Sequence, residues 1–566
     1  MLLILLSWIY IFATTLVFGV ATAKLFRIQA IDTIIAVFIG CFTVTLYIGF
    51  WSIFNAVNTF FYIVFFVISL LLYLKNKTDV YYKLKQLKTS FLQLTSFFKG
   101  FIIFLLFVIL AKCASAPFLL DNETYYIQTI KWLNQFGFTK GLTNLHLFLG
   151  QTSGWHILQS GYNFEFLNSN LNDLSGFCLF LANFYAIEKL NNFVIDSSKN
   201  KLDLIIGLFP IFNVFLFQFV SAPSPDIAIY CLGLIIFYEF TCCYKTYNIY
   251  SFFAVFLLSI FATLIKLTGL MFFILALVLY FRFYNYTRKD NKILAGFGIV
   301  TLALFIIKNT IITGNPFYPL HLDFLKASWS LPHNINTYFS QYETAASYGL
   351  DVESYKMFSY LNRFKSWLSY SLVDGVFNAS MLILLLITPL FILKLKDKKP
   401  LLTIYALGFL SFTILLFTVP QYRFFFQYLV LFSLIIFSFI IKHKHLITVV
   451  LSISLITIII ATFFNLNVSA LTNTQAHNTT NSFSFKNIVK PYKNSKYSMD
   501  FEVIKIQNTT INSPLFIDFF WATGELPLPA LNKVQLEYFK NNFNSIPQQY
   551  SEDLKDGFYS KKIIND

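Results

Sequence analysis

Between residues 119 and 132 the chain reads LLDNETYYIQTIKW, with two carboxylates, Asp121 and Glu123, two positions apart and two tyrosines directly behind them. The stretch follows the apolar run FIIFLLFVILA at 101–111. A carboxylate placed where a chain leaves a bilayer loses part of its hydration, which raises its pKa and improves it as a general base. Carboxylate oxygens also suit a divalent cation such as Mg2+ or Mn2+, so Asp121 and Glu123 read as catalytic acids or as metal ligands. A plainer reading stands beside this one. Asp121 could cap a helix whose apolar positions Tyr125, Ile127, Ile130 and Leu133 lie on a membrane surface.

Other polar residues in apolar surroundings extend the set. Asp226 follows two prolines in SAPSPD (221–226), either as a helix cap or as a second acid. Lys266 in TLIKLTG, Lys308 in IIKNTIITGNPFYP and Arg423 in PQYR lie in or beside apolar segments. Cations there are costly and mark a path for an anion, so these three are candidates for binding phosphate; the alternative is snorkelling side chains. His146 and His156 share the stretch GLTNLHLFLGQTSGWHILQS with Trp155. With Tyr125 they are candidate substrate-binding residues, an aromatic ring being suited to stacking on a sugar. Against that, a lone histidine is more often structural, and Trp132, Trp155 and the tyrosines fit an interfacial aromatic belt.

The elements that must position these residues follow from hydropathy. The chain is 57% hydrophobic and 12% charged, whereas about a quarter of a soluble domain is charged. Nearly uncharged runs recur at 1–21, 34–54, 57–74, 100–111, 172–188, 203–221, 226–243, 250–265, 268–284, 292–312, 376–395, 401–419, 424–441 and 446–464. They are continuous, not alternating, which predicts an all-α polytopic membrane protein of about 14 (12–14) transmembrane helices. The first run lacks a basic n-region and a small-residue cleavage site and reads as a retained span. Five of the six cysteines fall within spans, Cys113 lies near a loop, and no CxxC pair occurs.

The net charge of +15 looks like a nucleic-acid signal until the charges are located. Of 42 Lys and Arg, 22 fall in the short segments 22–33, 75–99, 189–202, 244–249, 281–292, 394–400 and 442–445. The long segments 112–170 and 313–375 hold only seven. By the positive-inside rule the short loops are cytoplasmic, and the long loops and the C-terminal residues 465–566 are extracytoplasmic. This predicts an inner-membrane protein with a transmembrane domain over 1–464 and an external domain over 465–566. The latter, Asn-rich with alternating stretches FEVIKI and PLFIDFF, reads as a small α+β appendage. Lys266, Lys308 and Arg423 are the three cations left over, all toward the external side.

Acids in an early external loop (Asp121, Glu123), a later Asp226, TGNPFYP after a mid-chain span and an external tail together resemble the GT-C superfamily of integral-membrane glycosyltransferases. More closely, DNETYYIQTIKW, GLTNLHLFLG, SGWH, SPSPD, TLIKLTG, IKNTIITGNPFYP and FFWATGELPLPAL are similar to an uncharacterised family of polytopic membrane proteins common in Bacteroidetes. The resemblance to GT-C implies transfer of a sugar from a polyprenyl-phosphate donor, with inversion, to a glycan, lipid or protein acceptor. It implies Asp121 as base, Glu123 as helper or metal ligand, and Lys266, Lys308 or Arg423 as the phosphate clamp. Some members use a divalent ion and others do not. More spans precede the acidic loop here than the single one found in many GT-C proteins. Two other readings stay open: an O-antigen polymerase or ligase, and a lipid-linked sugar transporter or flippase.

Overall fold

The computed structural model describes residues 1–566 apart from 27, 29–30, 169, 171–173, 197–198, 321–324, 371–372, 472–478, 516–518 and 564–566. The chain opens with four long helices, α1 (Leu2–Leu25), α2 (Thr33–Phe54), α3 (Thr59–Gln93) and α4 (Ser96–Cys113). The first long connection carries only the short α5 (Ile127–Gln135) and α6 (Gly154–Ser160). Next come α7 (Leu174–Ile195), α8 (Lys201–Gly207), α9 (Asn213–Leu216), α10 (Pro225–Lys245), α11 (Ile249–Ile265) and α12 (Leu270–Arg282). The one-turn α13 (Tyr284–Thr287) leads into α14 (Asn291–Thr313). The second long connection holds α15 (His333–Ser347), α16 (Val352–Met357) and α17 (Tyr360–Leu368). Four more long helices follow: α18 (Val373–Ile392), α19 (Lys398–Leu416), α20 (Tyr422–Ile440) and α21 (Lys444–Phe463).

Eleven helical segments among the described residues are long and apolar enough to cross a membrane, which suggests a lipid-bilayer environment. All fourteen expected segments are helical, yet three fall short of that standard. The segments at 250–265 and 268–284 are the shorter α11 and α12, parted at Lys266. That at 172–188 is α7, whose Asn183, Glu188, Lys189 and Asn191 dilute its apolar character; its first two residues lie outside the described ones. The segment at 203–221 is a broken element. Pro210 cannot donate to a helical ladder, so 3-10 turns replace α-helix on both sides of α9. Asn183 and Asn213 exchange two side-chain hydrogen bonds (3.0 and 2.9 Å) across this break.

Close backbone approach sets the first helix pair. A Cβ added at Gly40 would lie 1.7 Å from the Thr15 carbonyl oxygen, and one at Gly19 would lie 1.8 Å from that of Ala36. Where lipid removes the hydrophobic drive between helices, such small-residue contact lets dispersion hold them together. The basic loops partner one another, as in Lys24 with Asp79 (3.4 Å) and Lys245 with Asp397 (2.6 Å).

At the opposite end the two long connections and the tail form one body. The tail comprises two antiparallel hairpins, β1 (Phe501–Ile506) with β2 (Thr509–Pro514) and β3 (Ser545–Gln549) with β4 (Phe558–Lys562), and α22 (Lys533–Phe543) between them. Phe148, Phe339 and Trp521, one from each of the three regions, pack with ring centroids 5.0–6.0 Å apart. FEVIKI is a strand, as its alternation predicts; PLFIDFF lies partly outside the described residues. α5 does not lie on a membrane surface as its apolar pattern suggests. The tail covers it, with Gln128 and Lys131 donating to the carbonyls of Gly524, Glu525 and Leu526 at 2.9–3.0 Å. Trp132 and Trp155 are each 1% exposed and are packing residues, not belt residues.

Gly40→Val should force α1 and α2 apart and destabilise the protein by about 1–3 kcal/mol, read as a lowered Tm in detergent, while Gly100→Val, where an added Cβ meets nothing, should leave Tm unchanged.

Candidate functional site

Asp121 follows α4 and opens a single π-helical turn, Asn122–Tyr126, closed by the Ile127 N–H donating to the Asn122 carbonyl. The wider turn shifts which side chain stands over the acid. In an α-helix the position four residues on would face Asp121; here it is Tyr126, five on, whose hydroxyl donates to Asp121 Oδ2 at 3.3 Å. Asp226 does not cap α10. Ser224 does so, its Oγ accepting from the Asp226 N–H at 3.3 Å with Pro225 in the first turn. That leaves the Asp226 carboxylate free to point sideways. Lys266 stands in extended conformation where α11 ends, and Arg423 lies in the first turn of α20.

These four charges converge. Arg423 Nη1 lies 2.5 Å from Asp121 Oδ2 and 3.6 Å from Asp226 Oδ2. Lys266 donates to Asp226 Oδ1 and lies 4.2 Å over the Phe424 ring. Arg423 Nη2 donates to Gln421 Oε1 at 3.1 Å, and the Tyr230 hydroxyl holds the Arg423 carbonyl at 2.9 Å. The Asp226 side chain is 2% exposed, whereas Asp121, Lys266 and Arg423 are 24–27% exposed. One acid is therefore an internal counterion, and the other three groups can meet a ligand. Burial pushes the Asp121 carboxyl up, but the Arg423 charge and hydrogen bond, with Lys266 and the Tyr126 hydroxyl, outweigh it and hold it below its ordinary range. Asp121 is thus ionised at neutral pH.

His156 joins the rim of the cluster. Its ring lies 4.8 Å from that of Tyr126, and Nδ1 accepts from the Ser153 N–H at 3.3 Å, which places the ring proton on Nε2. Burial, then the Lys308 charge, lowers its pKa to about 3, so it is neutral. Ser153 Oγ donates to the Ile265 carbonyl at 2.7 Å, tying α6 to the turn that carries Lys266. Tyr125 stacks on Phe148 (5.5 Å), and its hydroxyl donates to Gln151 Oε1 at 3.4 Å.

Other expected residues go elsewhere. Glu123 is fully buried and faces the tail: it accepts from Ser495 Oγ (2.5 Å), Lys496 N–H (3.0 Å) and Asn122 Nδ2 (3.2 Å). Its own carbonyl accepts from the N–H groups of Thr523 (2.9 Å) and Gly524 (2.8 Å). Residues two apart on a helical turn point in different directions, so Glu123 does not stand beside Asp121. A divalent ion finds no fit on the pair, because Asp121 Oδ2 is held by Arg423 and both Glu123 oxygens by protein donors. Among the described residues no group of three or more His, Cys, Asp or Glu gathers as a metal site. His146 also serves the tail, with Nε2 3.0 Å from the Trp521 carbonyl oxygen. Lys308 is buried and donates to the Thr152 carbonyl at 2.6 Å, outside the cluster. The Trp155 indole N–H donates to Ser175 Oγ at 3.4 Å within the core.

Two residues near the cluster carry no sequence signal. Tyr126 is concealed by the π-helical turn. Glu343, from α15 in the second long connection, accepts from Gln151 Nε2 and sits within the electrostatic reach of Asp121 and Lys266; burial raises its pKa to about 7. In HNINTYFSQYETAAS nothing sets Glu343 apart from an ordinary surface acid.

With this geometry in view, comparison with known proteins adds one relation. The chain belongs to the family described as Domain of unknown function (DUF8201), whose profile matches residues 1–430. No curated protein and no solved structure matches it. The matched stretch contains Asp121, Asp226, Lys266 and Arg423 and stops inside α20, so the tail engaged by Glu123 lies beyond it.

Arg423→Gln should cost about 2 kcal/mol by leaving two carboxylates without their shared cation; Asp121→Asn should cost less, and the double variant less than the sum, as a Tm cycle in detergent would record. Glu123 generates a pH prediction. Burial raises its pKa from 4.5 to about 7 against the opposing hydrogen bonds, so its contribution to the docked tail is complete below 4.5 and lost as pH rises through 7. Between about pH 5 and 8, hydrogen exchange over 494–496 and 523–526 should quicken beyond its intrinsic rise, and Glu123→Gln should flatten that excess.

Proposed function

We propose that this member of the DUF8201 family is a GT-C-like membrane glycosyltransferase that transfers a sugar from a polyprenyl-phosphate donor to an envelope acceptor on the extracytoplasmic face. The observation that carries the reading is the Asp121–Arg423–Asp226–Lys266 cluster, with two cations and an ionised acid open to a ligand at the end of the bundle that bears both long connections. Glycosyl transfer from a phosphate needs stabilisation of the leaving anion and removal of a proton from the acceptor. The cluster supplies both in one exchange.

A donor phosphate brought to Arg423 and Lys266 competes with Asp121 for the guanidinium. Asp226, buried behind them, keeps both cations oriented while the front partner changes. Once displaced, Asp121 loses the contact that depresses its pKa, keeps the Tyr126 hydroxyl as an orienting donor, and becomes a stronger base. The acceptor oxygen then bonds to the anomeric carbon, the carbon–oxygen bond to phosphate breaks, and the acceptor proton passes to Asp121. The leaving phosphate keeps the electron pair and is neutralised by Arg423 and Lys266.

Asp121→Asn should retain donor binding but lower transfer by about 10²–10⁴-fold, so that lipid-linked sugar accumulates and envelope glycans shorten in cells carrying only the variant. Cells with Asp121→Asn that kept normal glycans and a normal lipid-linked sugar pool would sink the reading.

A further inference from the structure

Away from the charge cluster, a cleft of about 360 Å³ opens along the seam between the first long connection and the tail. Ile127 and Ile130 of α5, with Met499 opposite, give it an apolar lining. Its polar groups are of both signs and both hydrogen-bonding senses: Lys131 and Lys493 donate, Glu165 and Glu525 accept, and Asn163 and Asn494 do both. The formal charge of the lining is zero.

Two of these groups are fixed by the fold. Lys131 Nζ is held by the Glu525 and Leu526 carbonyls, and Glu525 Oε1 accepts from Asn494 Nδ2 at 3.2 Å. Glu165 and Lys493 stand exposed at the rim. Asn163 is 5% exposed; its Nδ2 donates to Asn134 Oδ1 at 3.1 Å, while its Oδ1 is buried without a hydrogen-bond partner among the described residues. An unpaired buried acceptor beside a cleft costs free energy that a ligand donor can recover.

We infer that this cleft is a carbohydrate-binding site. A sugar hydroxyl is donor and acceptor at once, which amides together with Lys and Glu groups match, and the C–H face of a pyranose fits an apolar lining such as Ile127, Ile130 and Met499. The volume lies within the range of ordinary small-molecule sites, about 300–1,000 Å³. An anionic or cationic ligand would call for a lining of one sign, which this one lacks. The cleft also lies near the proposed chemistry along the chain, since the Asn494 carbonyl accepts at 2.8 Å from Asn122, the neighbour of Asp121. If the glycosyltransferase reading holds, the site takes the acceptor glycan; the assignment of a sugar ligand rests on the lining alone.

The test uses the purified full chain in detergent on an array of immobilised neutral oligosaccharides, followed by calorimetry with the best binder at low and high salt. Glu165 and Lys493 lie at the exposed rim, so Glu165→Ala and Lys493→Ala should fold with unchanged Tm. The expected result is binding that is insensitive to salt, weakened about tenfold or more by each variant, and retained by Asp121→Asn. Because Asp121→Asn separates binding from transfer, loss of the glycosyltransferase reading and loss of this one are distinguishable. No retained oligosaccharide, binding unaffected by both rim variants, or salt-sensitive binding of a charged dipeptide such as glycyl-lysine in place of sugars would each overturn it.

Discussion

Arg423 is the residue on which the arrangement of the site end depends. It stands in the first turn of α20 and reaches Asp121, 302 positions earlier, and Asp226, 197 positions earlier, so that one guanidinium fixes three distant parts of the chain relative to one another. A planar fork of donors can meet two carboxylates at once, which a lysine ammonium does less well. Removing charges from water is costly, and the cluster offsets this only because its partners are matched: two cations, two acids, and neutral donors from Tyr126 and neutral acceptors from Gln421 on the remaining positions. A network satisfied so closely resists collapse, and its partial exposure leaves the front of it able to exchange partners. Stability and proposed chemistry therefore draw on the same contacts.

Glu123 plays the complementary part. Where Asp121 turns toward the bundle, Glu123 turns outward and is closed in by Ser495 and Lys496. The two acids of DNE thus divide between chemistry and assembly, and their opposite pKa shifts follow from their partners: cations beside Asp121, burial without a cation as the leading influence on Glu123. The tail engages the first connection at Gln128, Lys131 and Trp132 of α5, and the cleft arises at that seam. It lies outside the stretch matched by the family profile, although it covers the acidic loop within that stretch.

Much of the fold is legible in the chain because long apolar helices, of the kind that suit a lipid bilayer, announce themselves in sequence. The spans over 34–54, 226–243 and 401–419 begin and end within a few residues of α2, α10 and α19. Legibility fails where tertiary partners replace lipid. Pro210 breaks a segment that hydropathy renders continuous, and α7 carries asparagines that distant partners accommodate, Asn183 through Asn213 of α9 and Asn191 through the backbone of Gln93 and Thr95. Likewise Trp132 and Trp155 read as interfacial because their composition suits water and lipid alike; their burial depends on the tail and on α7, which hydropathy does not place. Of the candidate site residues, Asp121, Asp226, Lys266 and Arg423 meet, while Lys308, His146 and Glu123 are drawn to other distant partners, Thr152, Trp521 and Ser495.

By itself the sequence marked Asp121, Glu123, Asp226, Lys266, Lys308 and Arg423 as charged residues in or beside apolar segments. Residue type and hydropathy are properties of position along the chain, and no folding knowledge is needed to read them. What only the tertiary structure decided is pairing: that Arg423 takes Asp121 and Asp226, that a π-helical turn exchanges Tyr125 for Tyr126 above the acid, and that Glu343 comes in from a connection more than 200 residues away. Side-chain direction depends on a local turn and on which distant element packs against it, and a difference of one residue in either redirects a carboxylate from a site to a scaffold.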